Sequence, residues 1–290
     1  ITYDDEEGPR PAFEKFANTN NISKLGVESR TIRHLELDLM NSTGIVSNIV
    51  DSIDIFAKLR MSKSHKEIDN MIEAVKIAET SLKSILGNIR PGVTEKQFAA
   101  DLVIELLRNG SDSELPFSPI VASGTNAANP HHFPGNKKFQ DGELIIIDWG
   151  ANFEGYFSDI TRTFALGDSI NSELLTAYET VRQANKSARI KAKIGVQAGD
   201  VDQAARKVIE TSGFGKFFTH RTGHGLGLEV HEEPYIKPGN DFILEKGMTF
   251  TIEPGIYIPN LGGIRIEDDI YLEDSGATSL TTLSRKLIYL

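Results

Sequence analysis

Ile145-Ile146-Ile147-Asp148-Trp149-Gly150 and, 105 positions later, Phe250-Thr251-Ile252-Glu253-Pro254-Gly255 are two apolar runs that each end on an acid two residues ahead of a glycine. Each run reads as a strand. After the first, a turn around Asn152 to Gly155 leads back through Ser158-Asp159-Ile160-Thr161. After the second, a turn near Pro259 to Gly263 leads back through Ile264-Arg265-Ile266-Glu267. Gly142 ahead of the first run matches Gly247 ahead of the second at the same offset of 105.

Working outward, both strand pairs are preceded by two helices. A capping box, Ser64-His65-Lys66-Glu67, starts a helix with Ile68, Met71, Ile72, Val75, Leu82 and Ile85 on one face. Thr94-Glu95-Lys96-Gln97 caps the next, which carries Phe98, Leu102, Val103 and Leu106 and stops at Gly110. In the second half a helix runs from Ser172 towards Gly195, and Asp200 is expected to cap another that ends at Gly213. Gly92 pairs with Gly199 at an offset of 107, and Gly110 with Gly213 at an offset of 103. Two helices and a strand pair, occurring twice, predict a duplicated α+β domain over residues 61–290. Residues 1–60 read as a thin α/β layer with its boundary near Arg60. Its expected elements are a strand from Ile22 to Val27, a helix from Glu28 to Met40, a strand from Gly44 to Val50 and a helix from Asp51 to Leu59.

The duplication gives the acids their meaning. If each strand pair is a hairpin, Asp148 lies near Asp159 and Glu253 near Glu267, and like charges so placed repel. Each also sits in an apolar strand, where an unpaired carboxylate is costly. A bound cation removes both penalties. A single acid at a strand end more often faces water; four at duplicated positions do not share that explanation. In the glycine-rich loop His220-Arg221-Thr222-Gly223-His224-Gly225-Leu226-Gly227, His224 is the candidate nitrogen ligand. Such a mostly oxygen donor set accepts Mn²⁺, Co²⁺, Fe²⁺ or Zn²⁺ without choosing among them.

Composition excludes other classes. The 290 residues carry 41 acidic and 31 basic side chains, a formal charge of -10, with no basic stripe, so nucleic acid is not an expected partner. No apolar run approaches the roughly 20 residues that span a bilayer, so no membrane association is expected. Cysteine is absent, which removes thiolate ligands and nucleophiles and fits a cytoplasmic protein. The chain opens on Ile1 rather than Met, as a processed chain or a fragment would. His231-Glu232 lacks the second histidine of the zincin helix, the glycines at 223, 225 and 227 lack the dinucleotide-binding context, and no G-x-S-x-G elbow occurs.

The chain resembles the pita-bread metallopeptidases, and within them the Xaa-Pro dipeptidases (prolidases) and Xaa-Pro aminopeptidases. The first half carries this resemblance in Asn129-Pro130-His131, Ile147-Asp148-Trp149-Gly150 and Ser158-Asp159-Ile160-Thr161-Arg162-Thr163. The second carries it in Thr222-Gly223-His224-Gly225, Glu229-Val230-His231-Glu232, Ile252-Glu253-Pro254-Gly255-Ile256-Tyr257 and Ile264-Arg265-Ile266-Glu267-Asp268. The resemblance implies two divalent ions, Mn²⁺ or Co²⁺ first and Zn²⁺ or Fe²⁺ next. Asp159 and Glu267 would bridge them, Asp148 would complete one shell, and His224 with Glu253 the other. His131, His220 and His231 would touch substrate, Glu253 would shuttle a proton, and Tyr257 and Arg265 would stand behind the ligands and orient them. The substrates would be short proline-containing peptides and the assembly a homodimer. Residues 1–60 resemble only the later part of the family's N-terminal domain, whose beginning is expected to be missing.

Related dipeptidases often carry an arginine shortly after the position of His231, suited to a free carboxylate. Here the segment reads Glu232-Glu233-Pro234-Tyr235-Ile236-Lys237, and Lys237 offers only a point charge. Dipeptidase and aminopeptidase therefore both stay open. Methionine aminopeptidase and a non-catalytic peptide-binding module of the same fold are the rival readings, and a creatinase-like hydrolase would not use this metal set. His34, His65 and His132 read as ordinary surface or core histidines.

Overall fold

The structure, a computed structural model, describes residues 1–20, 22–46 and 48–290. Its backbone divides into two compact units, Ile1–Arg60 and Met61–Leu290.

The first unit holds α1 (Arg10–Thr19), β1 (Leu25–Val27), α2 (His34–Ser42), β2 (Ile49–Asp51) and the bulk of α3 (Ile53–Met61). β1 and β2 pair in parallel, Leu25 opposite Ile49, around α2. Among its described residues Leu39 and Ile45 are the only buried hydrophobic side chains, so the layer is thin. β1, α2 and β2 are shorter than their apolar patterns suggest, and α3 keeps the expected length but lies two residues further on. Ile22 joins Val46 only through an isolated bridge. The helix expected from Glu28 begins at His34, because Glu28 closes a turn with Thr31 and the Glu36 carboxylate accepts the Arg33 N–H at 2.7 Å. Ser47, within the expected strand Gly44–Val50, lies outside the described residues.

The second unit opens with α4 (His65–Ile85) and α5 (Glu95–Arg108), both started by the capping boxes seen in the sequence at Ser64 and Thr94. Next come β3 (Ile120–Ser123), β4 (Glu143–Trp149), the short hairpin β5 (Asn152–Phe153) and β6 (Tyr156–Phe157), and β7 (Ile160–Leu166). The second copy follows as α6 (Ser172–Lys191), α7 (Ala198–Thr211), β8 (Gly223–Gly225), β9 (Glu232–Ile236), β10 (Thr249–Ile252), β11 (Gly255–Ile258), β12 (Gly262–Arg265) and β13 (Asp268–Glu273). β14 (Gly276–Ser279) and β15 (Ile288–Tyr289) close the chain. The sheets run β15-β7-β4-β3 and β14-β13-β10-β8-β9, so each copy lays an antiparallel pair, β4/β7 and β10/β13, at its centre. Trp149 is fully buried, and its indole N–H donates to the Ala78 carbonyl at 2.9 Å, fastening β4 to α4.

The duplication is present with one correction. α7 starts at Ala198 after Gln197, so Asp200 lies inside the first turn and pairs with Lys191 at 3.0 Å instead of capping. The counterpart of Gly92 is therefore Gly195, at the same 103-residue offset as Gly110 and Gly213. Gly92 and Gly195 both take positive φ, 94° and 84°, which glycine adopts without strain. Gly199 is small for another reason: a Cβ there would meet the Asn240 carbonyl oxygen at 2.8 Å.

The two strand pairs also differ. β4 and β7 run unbroken, with Asp148 opposite Thr161. The second pair is interrupted, so that β10 and β11 flank Glu253-Pro254 while β12 and β13 flank Ile266-Glu267. Pro254 has no N–H to continue the ladder. The break leaves both acids where one sheet ends and the β11/β12 hairpin begins.

Candidate active site

A cleft of about 930 Å³ opens in the second unit, a size suited to a small ligand. Nine of the ten side chains singled out in the sequence line it: His131, Asp148, Asp159, His220, His224, His231, Glu253, Arg265 and Glu267. The tenth, Tyr257, is bonded to two of them.

The acids converge as the duplication requires. One ligand atom each from Asp159, His224 and Glu267 lies within 4.8 Å of the others, and all three residues are buried. His224 Nε2 is 3.3 Å from Glu253 Oε1 and 3.6 Å from Asp159 Oδ2. Its Nδ1 faces the Gly225 carbonyl at 3.0 Å; a carbonyl only accepts, so Nδ1 carries the ring proton. Burial, then the neighbouring His231, holds this imidazole well below its ordinary range, so it is neutral. An Nε2 lone pair thus points at carboxylate oxygens, an arrangement that is repulsive until a cation lies among them.

The carboxyl groups tell the same story. Burial first, then the charges of Glu267 and Asp148, raise Asp159 well above the usual carboxylate range. Burial, then Glu253 and Asp148, do the same to Glu267. Glu253 is pushed up to about 7, chiefly by burial. Asp148 is raised by burial against the pull of Arg265, which donates to Oδ2 at 2.6 Å, while Oδ1 is buried with no partner. A buried, unsatisfied carboxylate oxygen in a four-acid cluster is what a site built for cations presents. The residues fit divalent metal ions.

Behind the acids lies a relay of oriented donors. Arg265 Nε donates to Thr161 Oγ1 at 3.0 Å, and that hydroxyl donates to Glu267 Oε2 at 2.6 Å. Arg265 Nη1 donates to the Tyr257 hydroxyl at 2.8 Å, which donates in turn to His220 Nε2 at 2.8 Å. His220 Nδ1 donates to the Arg221 carbonyl at 2.7 Å, and burial, then Arg265, lowers the ring to about 3. Both its nitrogens are engaged, so His220 holds Tyr257 instead of exchanging protons. His131 and His231 are exposed to the cleft, with the His231 ring edge-on to His224 at 4.3 Å between centroids.

Several contributors escaped the sequence reading. Asp269 accepts the Asp159 backbone N–H through both oxygens, at 3.1 and 3.3 Å. Glu95 accepts from His132, Ser123, Asn126 and the Gly135 N–H, gathering the segment that bears His131. Asp202 on α7 accepts from Thr222 and pairs with Arg206, whose other donors hold the Phe218 and His220 carbonyls. No local signal set them apart: Asp269 follows Asp268 in β13, and Glu95 and Asp202 sit in helices that carry other acids.

With this geometry in place, the sequence profile of metallopeptidase family M24 matches residues 69–274. The chain belongs to that family. The M24 chain is 37% identical to the Xaa-Pro dipeptidase of Pyrococcus furiosus over 98% of its own length and 82% of that protein's. Among solved structures it is similar to a dipeptidase from Pyrococcus horikoshii OT3, at 43% identity and a TM-score of 0.94, covering all of this chain and 81% of the other. It is also similar to an X-Pro aminopeptidase from Thermotoga maritima, at 35% identity and a TM-score of 0.92, covering 97% and 79%. The duplicated α+β architecture is therefore the pita-bread fold of these M24 enzymes, and the chain is a metallopeptidase of divalent metal ions. Among the described residues no helix is long and apolar enough to cross a membrane.

Proposed function

We propose that the chain hydrolyses Xaa-Pro bonds of dipeptides and short peptides, with residues 61–290 as the catalytic domain and residues 1–60 as the later part of an N-terminal α/β domain. The observation that carries this reading is the neutral His224 Nε2 aimed at the carboxylates of Asp159 and Glu253, with Glu267 alongside. Asp159 and Glu267 would bridge two ions, Asp148 would add to one side, and His224 and Glu253 to the other. When bound, the ions supply an activated water and a Lewis acid for the scissile carbonyl. Mn²⁺ or Co²⁺ suits an oxygen-rich set with a single imidazole.

The chain's own side chains do the rest. His131 and His231, exposed in the cleft, hydrogen-bond the substrate carbonyl and the oxyanion that develops from it. Glu253 takes the proton that the attacking water gives up and passes it to the proline nitrogen as the C–N bond breaks. Proline has no N–H and a fixed φ, so a substrate cannot dock here as an added strand and must be held by such side chains. Arg265 and Tyr257 keep Asp148, Glu267 and His220 in place.

The test strips the protein with chelator, restores Mn²⁺ or Co²⁺, and assays an Xaa-Pro dipeptide beside an Xaa-Pro-Yaa tripeptide. Metal-dependent cleavage of the dipeptide supports the dipeptidase form. Preference for the tripeptide supports the aminopeptidase form, which the Thermotoga maritima likeness keeps in view. Failure on both with metal bound overturns the Xaa-Pro reading. The homodimer belongs to the same proposal, and light scattering at assay concentration tests it.

A further inference from the structure

In the second unit, the arginines that are buried or half-buried are Arg162, Arg182, Arg189, Arg206, Arg221, Arg265 and Arg285. Six of them lie within 4.0 Å of a carboxylate: Arg162, Arg189 and Arg285 beside Asp268, Arg182 beside Glu179, Arg206 beside Asp202, and Arg265 beside Asp148. Arg221 is the exception. Among the described residues its guanidinium has neither ion pair nor hydrogen bond, and it lies 4.7 Å over the ring of Tyr235. Lys237 Nζ, also without an ion pair, lies 5.9 Å from the same ring, and both cations line the cleft.

Its backbone is fixed although its charge is unspent. Asp202 accepts the Thr222 N–H at 3.1 Å, Arg206 holds the His220 carbonyl at 3.0 Å, and the Thr222 N–H also reaches the Ile236 carbonyl of β9 at 2.9 Å. The Tyr235 ring limits where the guanidinium can swing. A preorganised fork of donors with no internal partner, set in a cleft whose floor is four carboxylates, matches a planar anion brought by a ligand.

We propose that Arg221, assisted by Lys237, receives the free C-terminal carboxylate of a dipeptide and makes Arg221 the specificity-determining residue of the cleft. This rests on the Xaa-Pro reading and deepens it. Each further residue carries a peptide's carboxylate about 3.3–3.6 Å onward, so a fixed cation reads length. An arginine reaching the site from the loop before β8 also answers the missing arginine after His231: position 235 supplies the ring and position 221 the charge.

The test compares Ala-Pro with Ala-Pro-amide in metal-loaded wild type, Arg221→Gln and Arg221→Lys, with metal content measured in each. The ratio of kcat/KM for Ala-Pro to that for the amide is expected to fall about tenfold or more in Arg221→Gln, through KM, and to recover in part in Arg221→Lys. An unchanged ratio, whether activity is kept or lost, overturns the assignment. Calorimetric binding of the two compounds reads the same preference without turnover. Binding that depends on Arg221 and on the carboxylate, with no cleavage, sinks the Xaa-Pro reading alone; cleavage with no carboxylate preference sinks this one alone.

Discussion

Thr161 and Glu267 meet twice across the duplication: Thr161 Oγ1 donates to Glu267 Oε2 at 2.6 Å, and the Glu267 N–H donates to the Thr161 carbonyl at 3.1 Å. The acid returning from the second strand pair is thereby held by the strand returning from the first. Because Arg265 Nε occupies the hydroxyl's acceptor side at 3.0 Å, its single proton is committed to Glu267. The seam between the two copies is the site.

Replacing Thr161 with valine keeps the shape and removes the hydroxyl. Glu267 loses a donor and Arg265 an acceptor, both in buried surroundings, which costs about 1–3 kcal/mol of stability. Orienting partners of this kind are worth roughly 10–100-fold in metal affinity. Thr161→Val is expected to bind Mn²⁺ that much more weakly, with its circular dichroism spectrum preserved, while Thr161→Ser binds as wild type does. Equal affinity in the valine variant would show that the hydroxyl does not orient Glu267.

Asp159 and Glu267 are both raised well above the usual carboxylate range, by burial first and then by neighbouring carboxylates, Glu267 and Asp148 for Asp159 and Glu253 and Asp148 for Glu267. Asp159→Ala or Glu267→Ala is expected to abolish turnover and to leave the protein without the rise in Tm that added Mn²⁺ gives wild type. Without metal, Asp159→Ala should melt no lower than metal-free wild type near neutral pH, since a crowded buried carboxyl group has been removed, whereas Glu267→Ala also loses the Thr161 hydrogen bond. Near-normal activity in either variant would sink the two-ion assignment.

Metal removal should also have a pH signature. In the metal-free fold, burial and neighbouring carboxylates raise Asp159 and Glu267, and burial chiefly raises Glu253 to about 7. Between the ordinary carboxylate range and about 7, the folded metal-free chain therefore holds protons that the unfolded chain has released. Stability then falls as pH rises through that window. With cations bound the carboxylates stay ionised in the fold, and this loss does not arise. The Tm difference between loaded and stripped protein is expected to widen from about pH 5 to about pH 8. Scanning calorimetry across that range checks it, and a constant difference would contradict the raised carboxyl groups.

Much of this was legible in the sequence because it was written twice. Ser64 and Thr94 announced their helices through local hydrogen bonds, and Asp148 and Glu253 stood out as acids ending strand-like runs. Asp200 misled because an acid in a helix's first turn looks like a cap, whereas the chain had already turned at Gln197. Asp269 and Glu95 were hidden for a different reason. Their partners lie 110 and 28 to 40 positions away, and no local pattern marks a carboxylate whose use is to accept distant backbone and side-chain donors. Arg221 stands in the histidine-bearing loop with no mark of its own in the sequence, since an unpaired guanidinium stands out only against the paired ones of the folded chain.

Glu95 bears on turnover without touching substrate. It is fully buried at the first turn of α5, and its Oε2 lies 2.8 Å from His132 Nε2 and 3.2 Å from the Gly135 N–H. Its Oε1 accepts the Ser123 N–H at 2.8 Å and the Asn126 amide at 3.0 Å. Burial raises this carboxyl, and the hydrogen bonds, that of His132 largest, more than offset it, so it stays ionised below its usual range. One carboxylate thus ties the segment around His131 to both α5 and β3. Glu95→Gln keeps the size but cannot accept from all these donors, so the segment should loosen at a cost of about 1–3 kcal/mol. Turnover should fall with bound metal unchanged, as in His131→Ala, because the ligands lie on other elements. Hydrogen exchange over residues 129–135 separates the two variants: faster exchange is expected in Glu95→Gln and not in His131→Ala. Loss of metal from either variant would mean that this segment supports the ions themselves.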